Sequence, residues 1–312
     1  MNPRRWTIKR LLEVTAEYLK TKGIENPRLD AEVLLAQTLG LDRVGLYLRL
    51  DQPLTEKELS GYRSLVRRRA AREPLQYITG RQEFWSLAFK VTPDVLIPRP
   101  ETEVLVEEAL RRIPAGAQGM PLRILDLGTG CGAVAVAVAK EREHARVWAT
   151  DISFGALSVA EENAALHGVA GRITFLPGNL FAPLAGLGLF FHLIVSNPPY
   201  VRSDELAELA PEVRDFEPPG ALDGGPDGLA IVREILTRAP DYLAPGGWVL
   251  VEMAPPQTSK TTRTASVSWG RRRRERAQAE SITRSLYRPG SVPGRSPPGS
   301  RFPAALIASF SQ

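Results

Sequence analysis

The tetrapeptide Asn197-Pro198-Pro199-Tyr200 comes directly after an apolar segment that is typical of a buried strand. Such a loop suits a reaction in which a planar nitrogen, whose lone pair is delocalised, attacks a methyl group. The side-chain carbonyl of Asn197 and the backbone carbonyl of Pro198 can accept the N–H groups of an amide or ring-amino nitrogen. The prolines stiffen the loop, and Tyr200 offers a flat face to a planar group. Because Asn-Pro also begins ordinary turns at strand ends, the motif alone leaves both interpretations open.

A glycine-rich segment lies upstream, at residues 126–132 (Asp-Leu-Gly-Thr-Gly-Cys-Gly). Its glycines let the backbone turn tightly and let a ligand approach the main chain closely. Asp151 ends the next predicted strand, at a distance along the chain that suits binding of the two hydroxyls of an adenosine ribose. A glycine-rich turn can equally serve a dinucleotide, but this one lacks the G-x-G-x-x-G spacing and begins with an acid. It more closely resembles the D-x-G-x-G-x-G loop of S-adenosylmethionine-dependent methyltransferases.

This resemblance implies a set of cofactor-binding residues spread over several predicted strand ends. Residues 178–180 follow the third strand, where such enzymes usually carry a residue that contacts adenine, although Asn179 can also be a simple turn cap. Cys131 is interpreted as a small space-filling residue, because no base partner that would make its thiol a nucleophile can be identified. The predicted cofactor-binding residues are Gly128, Thr129, Gly130, Cys131, Gly132, Asp151, Asn179, Leu180 and Asn197.

The composition is that of a soluble globular protein. The 312 residues suggest two domains, and 43% are hydrophobic and 24% charged. The longest apolar run, residues 133–139, is too short to span a bilayer, and residues 1–6 lead into no signal-peptide core. A single cysteine excludes an internal disulfide framework and fits a reducing cytoplasm. Three scattered histidines with that cysteine form no recognisable zinc site, so we expect a cytoplasmic protein without a metal.

The net charge of +5 is unevenly distributed along the chain. Residues 258–312 contain 11 Lys/Arg and 2 Asp/Glu, whereas the remainder contains 29 basic and 33 acidic residues. The basic character therefore belongs to the tail. The body gives no electrostatic argument for a nucleic-acid partner.

The pattern along the chain predicts four regions. Residues 1–82 are expected to form a helical domain, because apolar residues follow helical spacing over 8–19 and again after Pro27. Thr55 and Glu58 predict a capping box that opens a third helix. The Arg67-Arg68-Arg69 run is interpreted as a solvated face, with a partner-binding surface as the alternative. The remaining regions are a β-hairpin linker at 83–98, a second domain at 99–257 and an atypical tail at 258–312.

The second domain alternates strand and helix. This rhythm predicts a mostly parallel, Rossmann-like α/β sheet covered on both faces. Since the carboxyl ends of parallel strands meet at one edge, the glycine-rich segment and the Asn-Pro-Pro-Tyr loop should face the same crevice. The predicted strands are 122–127, 146–150, 173–176, 192–196 and 248–252.

Sequence outside these loops closely resembles the HemK/PrmC family. The matching segments include 72–80 (Arg-Glu-Pro-Leu-Gln-Tyr-Ile-Thr-Gly), 96–103 (Leu-Ile-Pro-Arg-Pro-Glu-Thr-Glu) and 217–225 (Glu-Pro-Pro-Gly-Ala-Leu-Asp-Gly-Gly). Members of this family methylate the side-chain nitrogen of the glutamine in the Gly-Gly-Gln motif of peptide chain release factors. The resemblance covers about residues 8–257, and Pro-Arg-Pro-Glu-Thr favours the release-factor enzymes over relatives that modify a ribosomal protein.

The resemblance implies a fold, a reaction and a substrate site. The fold is a Rossmann-like S-adenosylmethionine-dependent methyltransferase sheet with a small N-terminal helical domain that docks release factors. The expected protein acts as a monomer on release factors, with neither membrane nor nucleic acid as a direct partner. The family commonly has an acid where Asn179 stands, so a modest effect on cofactor affinity is expected. Asn197, Pro198 and Tyr200 are the predicted catalytic residues, and Asn197, Pro198, Pro199 and Tyr200 the predicted substrate-binding residues.

Two other functions remain open at this point. A nucleic-acid amino-methyltransferase, of the N6-adenine or N2-guanine type, shares such loops and would stack a flipped-out base on Tyr200. It should carry a basic face, whereas the body of this chain is acidic. A catalytically dead binding protein is the second alternative, if the altered C-terminal region prevents folding.

The tail after Gln257 departs from the family. It contains 15 Ser/Thr in residues 258–312, four consecutive arginines at 271–274 and repeated Pro-Gly pairs. This composition predicts disorder, since it buries too little apolar surface to offset the entropy of ordering. Alternatives are a basic nucleic-acid arm and a frameshift near Gln257. A frameshift would leave the fifth strand without its later neighbours and would expose a sheet edge.

Overall fold

The computed structural model describes residues 6–113, 121–253, 277–282 and 304–310. The chain divides into two compact units, of which the first comprises Met1–Arg81 and Ala210–Phe216. The second comprises Gln82–Leu209 and Glu217–Gln312. The boundary after Arg81 lies one residue before the predicted end of the N-terminal domain, and the 210–216 segment joins the first unit from far along the chain.

The helices and strands of the described residues follow in chain order. The helices are α1 (Ile8–Thr21), α2 (Pro27–Leu39), α3 (Arg43–Tyr47), α4 (Glu56–Ala70), α5 (Leu75–Thr79), α6 (Glu103–Arg112), α7 (Ala133–Glu141), α8 (Phe154–Leu166), α9 (Pro211–Arg214) and α10 (Ala230–Arg238). The strands are β1 (Arg81–Phe84), β2 (Leu87–Lys90), β3 (Leu122–Leu127), β4 (Ala145–Asp151), β5 (Ile173–Pro177), β6 (Phe191–Ser196), β7 (Leu243–Met253), β8 (Ala277–Ile282) and β9 (Ala304–Phe310). No helix in this described part of the chain is long and apolar enough to cross a membrane.

The first unit is helical, as its periodicity predicts. Helix α2 begins with Pro27 in its first turn, where a missing N–H costs nothing. Helix α4 begins with the predicted capping box: Thr55 Oγ1 accepts the N–H of Glu58, and the Glu58 carboxylate accepts the N–H of Thr55 at 2.7 Å. The apolar stripes of α1, α2 and α4 form one buried core, which includes Ile8, Leu12, Leu19, Leu34, Leu35 and Tyr62.

The expectation of a solvated arginine face is wrong for Arg69. Its side chain is buried, its Nε lies 2.6 Å from Asp30 Oδ2, and its Nη2 lies 3.1 Å from Glu212 Oε1. Glu212 also accepts from Arg72 at 2.6 Å. A buried arginine is tolerated only when it is paired, and here the partners come from α2 and from α9. These ion pairs hold the 210–216 segment in the first unit.

The second unit is built on a seven-stranded sheet in the order β5-β4-β3-β6-β7-β9-β8. Strands β3 to β7 pair in parallel, which confirms the five predicted strands and the α/β fold class. Helix α7 explains the long apolar run of the sequence, since each residue from Ala133 to Ala139 is buried. The carboxyl ends of the parallel strands lie at one edge of the sheet, which positions the loops described below.

Two segments of the tail differ from the disorder predicted for it. Strand β9 pairs antiparallel with β7, and β8 pairs antiparallel with β9. The backbone edge of β7 presents N–H and C=O groups that another strand can satisfy, and Ala304–Phe310 is mostly apolar. The edge of β7 is therefore covered rather than exposed. The rest of the predicted disordered tail lies outside the described residues.

The predicted hairpin linker forms a two-stranded sheet from β1 and β2. Its turn consists of Trp85 and Ser86, with φ of 53° and 57°, so both residues occupy the left-handed region that usually requires Asn-Gly. The backbone N–H of Trp85 donates to Glu103 Oε1 and its ring N–H to Glu141 Oε1, each at 2.9 Å. Side-chain hydrogen bonds therefore hold Trp85 in a strained turn.

Replacing Ser86 by glycine should stabilise the protein, because glycine adopts this positive φ without a steric penalty. The expected gain is about 0.5–1 kcal/mol after the entropic cost of glycine, or a rise in the melting temperature on the order of 2 °C. Thermal unfolding followed by circular dichroism measures the shift. Ser86→Ala is the matched control: it keeps the Cβ, and an equal rise in that variant would contradict the strain argument.

Candidate active site

A cavity of about 400 Å³ lies at the carboxyl edge of the parallel strands in the second unit. It collects the ends of β3, β4, β5 and β6, as the sequence predicts for a doubly wound sheet. The predicted site residues that line it are Gly128, Thr129, Gly130, Cys131, Asp151, Asn179, Leu180, Asn197 and Pro199. Residues separated by more than 60 positions in the sequence thus share one cavity.

The glycine-rich loop leaves open space on its cavity side. Gly128 and Gly130 have φ of 70° and 57°, and a Cβ built on either would meet no atom within 4 Å. Gly132 differs: it lies outside the cavity lining, and its Cβ would come 3.1 Å from Cβ of Ala160 in α8. The first two glycines therefore let a ligand approach the backbone, whereas Gly132 lets α7 pack closely against α8.

Asp151 is held in place by backbone donors on both oxygens. Its Oδ2 accepts the N–H of Gly130 and its Oδ1 accepts the N–H of Ser153, each at 2.9 Å. Each carboxylate oxygen has a further lone pair, so the side chain can still accept two hydroxyl groups. The carboxylate is fixed at the cavity wall before any ligand binds.

The loop after β5 is conformationally constrained. Leu180 is buried with φ of 46°, which is strained for a residue with a Cβ. Gly178 has φ of 145°, and a Cβ there would lie 2.6 Å from Cγ of Pro183. Asn179, between them, lines the cavity. Strain at a cavity wall is typical of a ligand-binding position.

The side chain of Asn197 is anchored by a hydroxyl group. Its Nδ2 donates to Oγ1 of Thr102 at 3.0 Å, and both residues line the cavity. Pro198 and Tyr200 lie outside the lining. The Tyr200 hydroxyl donates to Oε1 of Glu252 at 3.3 Å.

Burial governs the ionisation of several groups here. It raises the pKa of Glu252 to about 7, although the hydroxyls of Thr102 and Tyr200 act in the opposite direction. It raises the pKa of the Cys131 thiol to about 12, which agrees with a space-filling role. The pKa of Tyr200 is also raised, by burial and by the nearby Glu252, so its hydroxyl remains a donor.

Comparison with known proteins gives consistent matches. The family model described as the PrmC N-terminal domain matches residues 10–80, and the methyltransferase small domain matches 102–212. A release factor glutamine methyltransferase of Geobacter sulfurreducens is 54% identical over 251 residues, which cover 80% of this chain and 85% of the relative. The enzyme of that name from Moorella thermoacetica is 46% identical over 80% of this chain and 87% of its own. This chain belongs to the release factor glutamine methyltransferase family.

A solved structure of low sequence identity shares the fold. The hMettl16 catalytic domain, solved in complex with a 3′UTR hairpin, has a TM-score of 0.53 and 13% identity. The match covers 73% of this chain and 76% of that one. At this identity the likeness concerns the fold alone.

As a member of this glutamine methyltransferase family, the chain is an S-adenosylmethionine-dependent methyltransferase. The described residues fit that cofactor. The open space beside Gly128 and Gly130 admits a ligand against the backbone, and Asp151 offers acceptors for two ribose hydroxyls. The constrained 178–180 loop adds polar and apolar contacts at the next strand end.

Sequence reasoning missed part of the cavity wall of this methyltransferase. The missed lining residues that matter most come from the linker, from the turn before α6 and from the loop after Glu217, and they include Asp94, Leu96, Pro98, Thr102, Pro218 and Ala221. The segments 96–103 and 217–225 stood out as motifs, yet no chemistry pointed to individual residues within them. Glu252 likewise stood out only as part of a strand.

Asp126 provides a test by pH. Burial raises the pKa of its carboxyl to about 7, against the hydrogen bond donated by Thr129 Oγ1 at 2.7 Å. Between about pH 4 and about pH 7 the folded state holds a proton that the unfolded state has already lost, so the contribution of this carboxyl to stability is full below about pH 4 and is lost as pH rises to about 7. Each such carboxyl contributes a slope of up to about 1.4 kcal/mol per pH unit.

Asp126→Asn should flatten this slope, as should Glu252→Gln, because neither amide ionises. The free energy of unfolding measured in urea between pH 4.5 and 8 gives the comparison. An unchanged slope in both variants would show that these carboxyls ionise normally in the folded protein.

Proposed function

We propose that this chain transfers a methyl group from S-adenosyl-L-methionine to the side-chain amide nitrogen (N5) of the glutamine in the Gly-Gly-Gln motif of peptide chain release factors. The observation that carries this proposal is the anchored amide of Asn197 on the wall of the cavity that the glycine loop borders. One N–H of its Nδ2 donates to Thr102, and its Oδ1, which can only accept, is the group that takes an N–H from a substrate amide. The names of the relatives support the same substrate.

The bound cofactor supplies a methyl group on a positively charged sulfur. Asn197 Oδ1 and the backbone carbonyl of Pro198 accept the two N–H groups of the glutamine amide, which turns the nitrogen lone pair towards that methyl. Tyr200, with its hydroxyl held by Glu252, supports the planar group. The methylated amide then loses its extra proton readily to water, so the chain needs no dedicated base. Alignment contributes several kcal/mol of barrier reduction.

Asn197→Ala should lower turnover at least on the order of 100-fold, because it removes an oriented hydrogen-bond acceptor at the reacting nitrogen. Initial rates of labelled methyl transfer at saturating cofactor and release factor give kcat directly. Cofactor affinity, measured by calorimetry, separates lost chemistry from lost binding. Turnover near that of the wild type would refute this mechanism.

The substrate is tested by offering labelled S-adenosylmethionine with three acceptors in parallel: a release factor, the same factor with its motif Gln replaced by Ala, and DNA. We expect label on the first acceptor alone, since only it presents the amide. Label on DNA would favour the nucleic-acid amino-methyltransferase. Failure to bind S-adenosylmethionine in calorimetry would favour an inactive binding protein.

The first unit is proposed to dock the release factor, which the match of residues 10–80 to the PrmC N-terminal domain supports. We further propose that the protein acts as a monomer in the cytoplasm. The proposed substrate supports that location, since release factors act on translating ribosomes. The predicted sites of the cofactor and of the glutamine lie on one chain.

A further inference from the structure

We propose that Thr102 is a positioning residue that fixes which end of the Asn197 amide faces the substrate, and that it thereby makes the site select an amide over a carboxylate. The carboxyl of Glu252 provides the acceptor that directs the Thr102 hydroxyl. This inference rests on the proposed function, because it concerns discrimination between glutamine and glutamate at the same site.

The first step concerns the two ends of a carboxamide. Oxygen and NH₂ have nearly the same size, so packing alone does not determine which of them faces the cavity. Only a neighbour of fixed hydrogen-bonding polarity can. Thr102 is buried, and its Oγ1 lies 3.0 Å from Asn197 Nδ2.

The second step concerns the hydroxyl itself. A threonine O–H has one proton, so it can donate to one neighbour and accept from others. If the proton is directed away from Asn197, the Thr102 oxygen can only accept. Asn197 must then present its NH₂ to Thr102 and its carbonyl oxygen to the substrate.

The third step concerns what takes the Thr102 proton. Glu252 is 3% exposed, and its Oε1 accepts from Tyr200. Its Oε2 is buried and has no hydrogen-bond partner within the described residues, so it remains an acceptor towards which the Thr102 hydroxyl can turn. The Thr102 hydroxyl favours the charged form of this carboxyl, as a donor does. Above its raised pKa of about 7 this carboxyl is ionised and can only accept, so the polarity is then set at Glu252 and passes through Thr102 to Asn197.

The consequence is a rule for substrate choice. An outward-facing carbonyl oxygen accepts an N–H from glutamine but repels the carboxylate of glutamate. With the amide reversed, the outward NH₂ would donate to a carboxylate. Discrimination between these two isosteric side chains therefore depends on a hydroxyl group that need not touch the substrate.

Thr102→Val tests the proposal, because valine keeps the shape and removes the hydroxyl. The probe is a release factor in which the motif Gln is replaced by Glu, used at about pH 8, above the pKa of Glu252, as a competitive inhibitor of methylation of the normal factor. The ratio of its inhibition constant to the KM of the glutamine substrate should fall by about 10-fold or more in Thr102→Val, and kcat should also fall. Thr102→Ser, which restores a hydroxyl, should keep the ratio of the wild type.

Thr150→Val is the matched control, since it removes a buried threonine hydroxyl that has no hydrogen-bond partner among the described residues. It should leave the ratio unchanged. Glu252→Gln is the second test. Its amide can donate to Thr102 as well as accept, so the ratio of the inhibition constant to the KM should fall in this variant too. Binding of S-adenosylmethionine in calorimetry confirms that each variant is folded. If Thr102→Val does not fold, the ratio measured for Glu252→Gln decides the positioning role.

A role of Thr102 in packing alone would weaken both ligands equally and leave the ratio intact, which would overturn the inference. The failure of the proposed function has a different signature, because the wild type would then place no label on the release factor. If the wild type labels the release factor but the ratio is unchanged in Thr102→Val and Glu252→Gln, the positioning role is wrong and the proposed function stands.

Discussion

The polarity of one hydrogen bond, from Asn197 Nδ2 to Thr102 Oγ1, is the constraint on which the chemistry proposed for the cavity depends. Shape complementarity can place a carboxamide within a fraction of an ångström, but it does not tell oxygen from nitrogen. The orientation of the amide has to be set by a group that can only donate or only accept hydrogen bonds. A buried carboxyl, once ionised, only accepts. The parallel strands bring the three residues together at one edge of the sheet: Asn197 directly follows β6, Glu252 is in β7 and Thr102 precedes α6.

Several groups that resist burial or regular backbone geometry lie at that edge. Asp126 and Glu252 are buried carboxyls with raised pKa values, and Leu180 occupies a strained backbone conformation. Such groups lower the stability of the folded protein, and groups of this kind cluster at binding and catalytic sites. The hydrophobic core of the second unit, which includes Leu180, is otherwise formed by aliphatic and aromatic residues.

Local signals in the sequence were sufficient for much of this fold. The capping box of α4 and the five parallel strands depend on neighbours within a few residues or on simple periodicity, and both were predicted. The burial of Arg69 was not, because its partner Glu212 lies 143 residues away. The same holds for β8 and β9, whose composition is typical of a disordered tail and whose order comes from pairing beside β7.

The candidate site divides in the same way. Most of the site residues identified from the glycine, aspartate and Asn-Pro-Pro-Tyr signals line the cavity, since these types have few other reasons to occur together at strand ends. Thr102 and Glu252 carry no such signal. A threonine and a glutamate are common anywhere on a protein, and their importance follows from a spatial arrangement that joins positions 102, 197 and 252.

The strand order β7-β9-β8 imposes a sequence of events on a chain that is synthesised from its N-terminus. The last strand to emerge from the ribosome occupies the place between two strands that emerge before it. Strand β8 has to wait, unpaired, while the following residues are translated, and β7 keeps a bare edge for the same interval. The seven-stranded sheet is complete only after residue 310 has been made. A nascent chain that stalls before this point contains all the residues of the cavity wall, but its β7 lacks the neighbouring strand β9.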